Sequence, residues 1–317
     1  MAQPAERAGV FSPAGGHPRL PPGVLLANRE GGDAGAPPRP DGDPDGEGPL
    51  VLRYDGALWN RLQTGSSGDL WWVFGFQQGP VFMGGEGGTI LSFRDGSFSA
   101  METPGEGTVF GIWGSDPNDL WAVGGDALAS DSAFVWRYDG ERWRSMNGLP
   151  PEALALGALF KVWGRGAEDV WLVGMAGMAL HWDGAGFARL PTATSGRLLT
   201  VHALPGSTGR VATVGGSFPG LMLEFDSGRW VDATPAGDVS QRMGVWLTSE
   251  GGHSVGMDGT VFSRGPEGWV RETTGLESDI PLHAVWVDPE GGVWSVGGRF
   301  IAPPLVDGVM IHRQPAP

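Results

Sequence analysis

The sequence predicts an all-β protein, a six-bladed β-propeller, and three observations lead to that fold class. Glycine and proline are abundant, with 56 Gly and 26 Pro among 317 residues, which disfavours long helices. Tryptophan is also abundant, at 15 residues against 2 tyrosines. Finally, a phrase of short apolar elements recurs six times after residue 50, at the spacing of a four-stranded propeller blade.

The first element of each repeat is an apolar strand that ends in a large, mostly aromatic residue. Residues 109–113, VFGIW, and 159–163, LFKVW, are two examples. The separations between successive final residues are 39, 50, 39, 44 and 40, which is typical of a blade. These final residues are Phe74, Trp113, Trp163, His202, Trp246 and Trp286.

The other three elements complete one predicted blade. The second reads DLWAVGG at 119–125, which predicts a strand buried on both faces and a glycine turn after it. The third mostly ends in Asp-Gly, as in FVWRYDG at 134–140, a strong hairpin signal. The fourth begins with an aromatic residue, such as Trp143. Because Trp and Phe recur at fixed places, we assign them to packing between blades in preference to a sugar-stacking surface.

The two ends of the repeat region predict how the ring closes. Residues 50–56 and Leu58 to Leu62 read as a third and a fourth element with no first and second element before them. The last repeat stops after its third element, at 308–313. We therefore expect six blades in a ring closed by the N-terminal strand, with Leu58 to Leu62 as the outer strand of the sixth blade. A seven-bladed ring is the alternative, and either 50–54 or 308–312 takes the third place in the sixth blade.

The domain boundary is predicted at residue 48. Residues 1–48 are rich in Pro and Gly, acidic and poor in aromatic residues. Such a segment buries too little apolar area to offset its ordering entropy, so we expect a flexible, disordered N-terminal arm. Residues 49–317 are expected to form a single propeller domain.

The arm holds one motif with a metal-binding pattern. Asp41, Asp43 and Asp45, followed by a glycine, match the first positions of a calcium-binding loop. Leu52 stands where that loop needs a bidentate Glu, and Pro44 interrupts it. A solvated acidic linker is therefore the favoured interpretation, calcium is the alternative, and we expect no other cofactor or metal.

Charge and composition exclude several classes of partner. With 21 basic and 36 acidic residues the net charge is -15, which argues against nucleic acid, whose affinity comes from neutralised phosphates. No run approaches eighteen apolar residues, so no membrane span is expected. The absence of cysteine removes disulfides, thiolate metal sites and thiol nucleophiles.

One phrase carries a resemblance to known proteins. Residues 162–184, VWGRGAEDVWLVGMAGMALHWDG, and their weaker copies resemble the Trp-rich propeller repeats of predicted exported proteins and lipoproteins of myxobacteria and related bacteria. Those repeats are distantly similar to BNR (bacterial neuraminidase) and YCF48-type propellers. The resemblance covers about residues 50 to 313 and implies an extracytoplasmic location, periplasmic or secreted, although the N-terminus shows no signal peptide. It implies no catalytic motif.

The residues themselves give little support for catalysis. A sialidase needs a Tyr nucleophile, but Tyr54 and Tyr138 occupy the same slot of the repeat. We expect Asp119 and Asp169 to cap turns through bonds to backbone amides. No two histidines have a metal-ligand spacing.

Three residues of the first elements are candidates for a ligand site in the central channel. They are His202, His283 and Lys161, because first strands of a propeller line its axis. The alternative is that these residues are variation within the repeat, with His202 filling a Trp position.

The predicted function is that of a non-enzymatic binding scaffold. Repeat regularity without a convergent set of acid, base or ligand residues favours protein–protein interaction through the loops or the channel mouth, with the arm as a tether. The alternatives are a carbohydrate-binding propeller and a neuraminidase-like glycan hydrolase.

Overall fold

The computed structural model describes residues 24–27, 49–54, 59–76, 79–204, 206, 209–274, 279–298 and 308–313. It contains seven antiparallel sheets. Six of them are the six sequence repeats, which form the blades of a β-propeller and confirm the predicted fold class. Within the described part of the chain, no helix is long and apolar enough to cross a membrane.

The strands are numbered in chain order. The N-terminal sheet contains β1 (Val24–Ala27), β2 (Leu50–Tyr54) and β3 (Trp59–Leu62). Blade 1 contains β4 (Leu70–Gly75), β5 (Val81–Gly85), β6 (Ile90–Arg94) and β7 (Ser97–Ala100). Blade 2 contains β8 (Thr108–Asp116), β9 (Asp119–Gly125), β10 (Phe134–Tyr138) and β11 (Trp143–Ser145), and the helix α1 (Pro151–Leu154) follows it.

Blades 3 to 6 complete the ring. Blade 3 contains β12 (Leu159–Gly166), β13 (Asp169–Gly174), β14 (Ala179–Trp182) and β15 (Phe187–Arg189). Blade 4 contains β16 (Leu198–Ala203), β17 (Val211–Gly216), β18 (Gly220–Asp226) and β19 (Arg229–Asp232). Blade 5 contains β20 (Arg242–Leu247), β21 (Gly252–Gly256), β22 (Val261–Gly265) and β23 (Gly268–Arg271). Blade 6 contains β24 (Leu282–Val287), β25 (Val293–Gly298) and β26 (Gly308–Arg313).

The strands of each blade are hydrogen-bonded in chain order, with the first strand innermost. The first strands of consecutive blades lie beside one another and surround the channel. The predicted hairpins between third and fourth strands are present. In blade 1, Asp95 and Gly96 have φ angles of 50° and 84°, as a type I′ turn requires at both central positions.

The recurring aromatic residues fill the space between blades, as predicted. Trp121 and Trp171, on the second strands of blades 2 and 3, are among the largest fully buried side chains. The Trp171 ring centroid lies 4.6 Å from Phe225 and 5.7 Å from Trp230, both in blade 4. Trp121 lies 5.6 Å from Trp182 of blade 3. Such aromatic pairs add geometric preference to the large area that each ring buries.

The sixth blade is completed differently from the prediction. β3 pairs with β2, so Trp59–Leu62 belongs to the N-terminal sheet and is not the outer strand of blade 6. The third place in blade 6 belongs to β26, which pairs with β25. β3 pairs with β2, and not with blade 6, because closing the short connection between β2 and β3 costs far less chain entropy than pairing strands from opposite chain ends.

The N-terminal sheet lies between blade 1 and blade 6. Val51 of β2 belongs to a buried cluster with Leu70, Val73 and Met83 of blade 1, and Trp286 of blade 6 packs against this cluster. The N-terminal strands thus close the ring, as expected, but as a separate sheet. Its three described strands match the second, third and fourth strands of a blade, so it is a partial counterpart of the seven-bladed alternative.

The predicted flexible arm contains β1. Residues 24–27, VLLA, pair in antiparallel register with 50–53. These four residues correct the prediction of a flexible segment over 1–48, because a short apolar run there supplies a neighbour for the free edge of β2. The rest of the arm, with Asp41, Asp43 and Asp45, lies outside the described residues.

Candidate functional site

The two faces of the propeller differ in the length of their loops. Every first strand begins, and every second strand ends, on the face that we call the mouth face. This face carries the connections between blades, such as 101–107, 146–158 and 233–241. The opposite face carries short turns such as 117–118 and 95–96. Because binding residues concentrate on long loops held by a rigid scaffold, the mouth face is the candidate binding face.

Every first strand carries a β-bulge at the same place. In blade 2, Val109 pairs with Gly124 and Gly111 pairs with Val123, so Phe110 has no partner on the second strand. A bulge re-aims the extra side chain, here at the innermost strand beside the channel. The same irregularity occurs in the other five blades. The six bulge residues, which we call the mouth ring, are Trp71, Phe110, Phe160, Leu199, Met243 and His283.

Half of the mouth ring is an arc of aromatic residues from blades 1 to 3. Trp71 meets Phe110 edge-to-face at a centroid distance of 5.8 Å, and Phe110 meets Phe160 edge-to-face at 5.4 Å. Trp71 is 38% exposed, and both phenylalanines are half-buried. The arc therefore presents apolar surface to solvent at the channel mouth.

Beneath the mouth ring, side chains cap the free edges of the first strands. A first strand has one neighbour in its sheet, so carbonyl oxygens on its other edge need partners from outside that sheet. The indole Nε1 of Trp72 donates a hydrogen bond to the Ile112 carbonyl oxygen at 2.8 Å. The Nζ of Lys161 donates to the Phe110 carbonyl oxygen at 3.2 Å. These bonds tie blades 1, 2 and 3 together around the channel.

The same arrangement continues in the next blades. The Thr200 hydroxyl donates to the Met243 carbonyl oxygen at 2.6 Å, and Trp163 Nε1 donates to the Ala203 carbonyl oxygen at 3.0 Å. Both acceptors lie on the first strand of the following blade. Side chains from successive blades therefore pack the channel below its mouth.

The capping side chains beneath the mouth ring form the floor of the site. Lys161 belongs to this floor, and its burial perturbs its ionisation. Its Nζ lies 3.2 Å from the centroid of the Trp72 ring, and the residue is 7% exposed. Gly111 of β8 lies between these two strands, and a Cβ there would be 3.1 Å from the Cα of Lys161. Burial lowers the pKa of Lys161 well below its ordinary value, because the Phe110 carbonyl oxygen and the Trp72 ring are uncharged and do not replace the lost hydration.

The far end of the channel is closed by an aromatic cluster. His202 lies 4.5 Å from Trp163 and 4.2 Å from Trp246, measured between ring centroids. Phe74 lies 6.3 Å from Trp163, and Trp163 lies 5.4 Å from Trp246. These four residues occupy the same position of the repeat, the last residue of its first sequence element, so they meet at the same depth. The site is therefore a shallow mouth above a packed interior.

Known proteins share the architecture of this chain. No family model matches the sequence, and a search of curated proteins found no match. A streptogramin B lyase structure superposes with a TM-score of 0.68 at 10% identity, covering 93% of this chain and 92% of that one. YCF48 bound to D1 peptide gives a TM-score of 0.59 at 15% identity, covering 77% and 79%. The WD40 propeller domain of Doa1 gives 0.60 at 12% identity, covering 78% and 82%.

The chain is a β-propeller. At these identities the likeness shows the fold alone, and the fold is shared by an enzyme, the streptogramin B lyase, and by YCF48, which is seen with a bound peptide. The similarity to YCF48 agrees with the distant resemblance found in the sequence. The more specific resemblance to myxobacterial repeat proteins stays a prediction.

The structure places the three channel candidates of this propeller at different levels. Lys161 lies in the floor and His283 in the mouth ring, whereas His202 lies in the closing cluster. His202 accepts a hydrogen bond at Nδ1 from the Leu247 backbone, and burial lowers its pKa to about 3, so it is neutral. His283 is 9% exposed, bonds the Gly298 carbonyl oxygen through Nε2, and has a pKa that burial lowers to about 4. Lys161 and His202 thus lie at different depths of the channel and have no contact partner in common among the described residues.

Asp119 and Asp169 bond side chains, and the prediction that they cap turns through backbone amides is wrong. Asp169 accepts hydrogen bonds from Arg165 and from Trp171 Nε1, and it bonds His181 at 2.9 Å. Burial raises the pKa of Asp169, but these bonds outweigh it and lower the pKa overall. In the blade 2 turn the backbone amide of Asn118 donates to Asp116 at 2.9 Å instead. Within the described residues, no three His, Asp or Glu residues group as metal ligands.

Arg242 is a buried cation that the sequence reasoning missed. It occupies the start of β20, where four of the other first strands have a buried leucine, and it is fully buried. Its guanidinium donates to Ser254 and Thr260, through both side-chain and backbone oxygens, and lies over the Phe262 ring. Burial lowers its pKa to about 9. The signal was visible in the sequence as Arg at a leucine position of the repeat.

Proposed function

We propose that this propeller is a non-enzymatic binding scaffold that takes a protein segment at its mouth face. The observation that carries the proposal is the aromatic arc of Trp71, Phe110 and Phe160, which is partly exposed above a packed floor. Aromatic anchors are enriched at the centres of protein interfaces because they bury much area at little entropy cost. An arc held by three rigid strands is therefore suited to an inserted side chain.

The chemistry of the mouth supports binding over catalysis. Five of its six ring residues are apolar, and the sixth, His283, is buried with its pKa lowered to about 4. A general acid or base works best with a pKa near the working pH and within reach of substrate. The fold neighbours give context, since YCF48 is seen with a peptide, whereas the lyase neighbours are enzymes of the same fold.

A carbohydrate ligand is the second candidate. The observation that favours it is Trp71, which is 38% exposed and could stack on a sugar ring. Trp72, Trp113 and Trp121, by contrast, are buried, as expected for packing residues. Trp71 is the one exposed indole among the side chains that the structure describes, and one indole offers a smaller sugar platform than a ladder of repeat tryptophans.

Capture with matched variants tests the protein-binding proposal. Immobilised wild-type protein, Trp71→Ala, Phe160→Ala and the control Val270→Ala would be exposed to an extract, and retained proteins identified by mass spectrometry. Val270 is 60% exposed on the outer strand of blade 5. We expect one partner to be retained by wild type and control and lost by both mouth variants. If the mouth variants retain the partner as well as wild type does, the proposal is overturned. Binding to a glycan array that is lost in Trp71→Ala supports the second candidate instead.

We further propose an extracytoplasmic location with the N-terminal arm as a tether. The support is the resemblance of residues 162–184 to repeats of exported proteins. Fractionation of cells that express the tagged chain tests it, and recovery of the protein with cytoplasmic markers alone overturns it.

A further inference from the structure

The loops around the aromatic arc carry an excess of negative charge. On the mouth face, the loops of blades 1 and 2 and the connections that lead from them to the next blade, 86–89, 101–107, 126–133 and 146–158, contain neither Lys nor Arg, whereas the connection after blade 3, 190–197, carries Arg197. Their six carboxylate side chains are all exposed. We call these residues the acidic rim, and they are Glu86, Glu102, Glu106, Asp126, Asp131 and Glu152.

On the opposite face of the propeller, carboxylates of blades 2 and 3 are paired with arginines. There Arg137 pairs with Asp119 at 2.7 Å, and Arg165 pairs with Asp169 at 2.6 Å. Arginine is thus placed to neutralise carboxylates on that side, whereas the loops of the acidic rim hold no cation of their own. A rim without internal cations leaves a negative potential above the mouth.

The acidic rim is interrupted by an exposed apolar residue. Leu128 is 97% exposed and lies between Asp126 and Asp131 in the same loop. The loop is ordered by its own bonds, since Asp126 accepts from the Leu128 backbone at 2.8 Å and Ser132 bonds the Asp126 backbone oxygen at 2.9 Å. It therefore presents apolar and acidic groups together, on the same face as the aromatic arc.

We infer that the acidic rim and the aromatic arc together dock a cationic protein segment, one apolar side chain of which inserts among Trp71, Phe110 and Phe160. This inference rests on the proposed function and specifies the partner's chemistry. Charge complementarity is the reason for choosing a basic segment, because an acidic one would meet like charge at the rim. The apolar side chain is expected because the arc presents three aromatic rings, on which the Trp71 indole N–H is the sole polar group.

Lys161 does not oppose this occupant. Its amine lies in the floor, turned to the Phe110 carbonyl oxygen and the Trp72 ring, and burial disfavours its charged form. The carboxylates of the acidic rim are exposed, so they act on an approaching chain before contact. Their contribution falls with ionic strength, because the Debye length shrinks from about 30 Å at 0.01 M salt to about 8 Å at 0.15 M.

Fluorescence anisotropy with the full chain and synthetic peptides tests the inference. The probe is a labelled nonapeptide with Lys and Arg on both sides of a central Leu. Two matched probes replace the central Leu by Ser, or all basic residues by Glu. We expect the basic Leu probe to bind most tightly and to lose about tenfold in affinity when salt is raised from about 0.01 to 0.15 M. Equal binding of the acidic probe, or no binding of the basic probe at low salt, overturns the inference.

Two charge variants with equal net charge localise the effect. The rim variant combines Glu86→Gln, Glu102→Gln, Glu106→Gln and Glu152→Gln. The control variant combines Glu168→Gln, Glu250→Gln, Glu267→Gln and Glu290→Gln, all exposed on turns of the opposite face. We expect about a tenfold loss of affinity for the rim variant and less than about twofold for the control. Equal losses would mean that net charge alone attracts the probe, which overturns a defined site.

Trp71→Ala separates the apolar contact from the charge. It should weaken the Leu probe to the level of the Ser probe and leave the Ser probe unchanged. If both probes are unaffected by this variant, insertion into the arc is wrong. If the basic probe fails while the captured partner still depends on Trp71, the proposed function stands and the cationic chemistry fails.

Discussion

Lys161 holds its Nζ 3.2 Å from the centroid of the Trp72 ring, although the two residues lie on first strands two blades apart. The strand between them, β8, contributes Gly111 and accepts the Lys161 hydrogen bond at Phe110. The contact between Lys161 and Trp72 therefore bridges blades 1 and 3 across the free edge of β8. A cation of this kind is held between neutral groups, so its protonation is coupled to folding.

Replacing Lys161 should change how stability depends on pH. The unfolded lysine keeps its proton up to about pH 10.5, whereas the buried one loses it at lower pH. Unfolding in that window takes up a proton, so the free energy of unfolding of wild type rises with pH by about 1.4 kcal/mol per unit. Lys161→Met lacks this rise. Urea unfolding of both proteins between about pH 7 and pH 10 measures the difference, and a constant gap between them would contradict the prediction.

His202 makes the opposite end of the channel sensitive to acid. Its pKa is lowered to about 3 from an ordinary value of 6.5, because the ring is buried between Trp163 and Trp246. The unfolded chain binds the proton first as pH falls from 6.5 to 3, so stability is lost across that window. The loss is about 1.4 kcal/mol per unit.

His202→Phe tests this assignment, because phenylalanine fills the same position in blade 1. We expect it to be about 1 kcal/mol less stable than wild type at pH 7, since the Leu247 amide loses its acceptor. The gap should close, and then reverse, as pH falls towards 4. Unfolding curves for the two proteins at matched pH give the comparison, in which carboxylate titration common to both cancels.

Arg242 is expected to stabilise blade 5 only together with its acceptors. Arg242→Leu restores the residue of the repeat but removes the guanidinium donor from buried oxygens of Ser254 and Thr260, at a cost of about 1 to 3 kcal/mol. The combination Arg242→Leu, Ser254→Ala and Thr260→Val should recover part of this, because it removes both hydroxyl acceptors with the donor. Denaturation midpoints of the three proteins decide the point, and a single variant as stable as wild type would refute it.

Much of the architecture follows from local signals in the sequence. Asp95 and Gly96 predicted a tight hairpin, and both adopt the positive φ angles that the turn needs. Trp121 and Trp171 recur at one position of the repeat, and both are fully buried between blades. Such features depend on residues close together in the chain, which is why periodicity shows them.

The mouth ring depends on contacts that the sequence does not display. A bulge at Phe110 is a shift in register between β8 and β9, and nothing in VFGIW distinguishes it from a regular strand. The capping of the Phe110 carbonyl oxygen by Lys161 joins residues 51 positions apart. Likewise, β1 was hidden because four apolar residues carry little signal until an unpaired strand edge stands beside them. These features arise only when the ring closes.

Two neighbouring tryptophans offer the sharpest separation of binding from stability. Trp71 is 38% exposed in the mouth ring, whereas Trp72 is buried and donates to the Ile112 carbonyl oxygen. Trp72→Ala should cost about 3 to 5 kcal/mol, because it leaves a cavity and an unpaired carbonyl. Trp71→Ala should cost about 1 kcal/mol or less, since it removes little buried area.

Ligand binding should show the reverse order. In Trp71→Ala the fold persists, so any loss of the captured partner or of the basic Leu probe reports the missing indole. Thermal unfolding and peptide anisotropy, measured on the same preparations, give the stability and the peptide affinity of both variants. If Trp71→Ala proved as destabilised as Trp72→Ala, the exposed indole would belong to the packed core, and the mouth would lose the aromatic anchor on which docking depends.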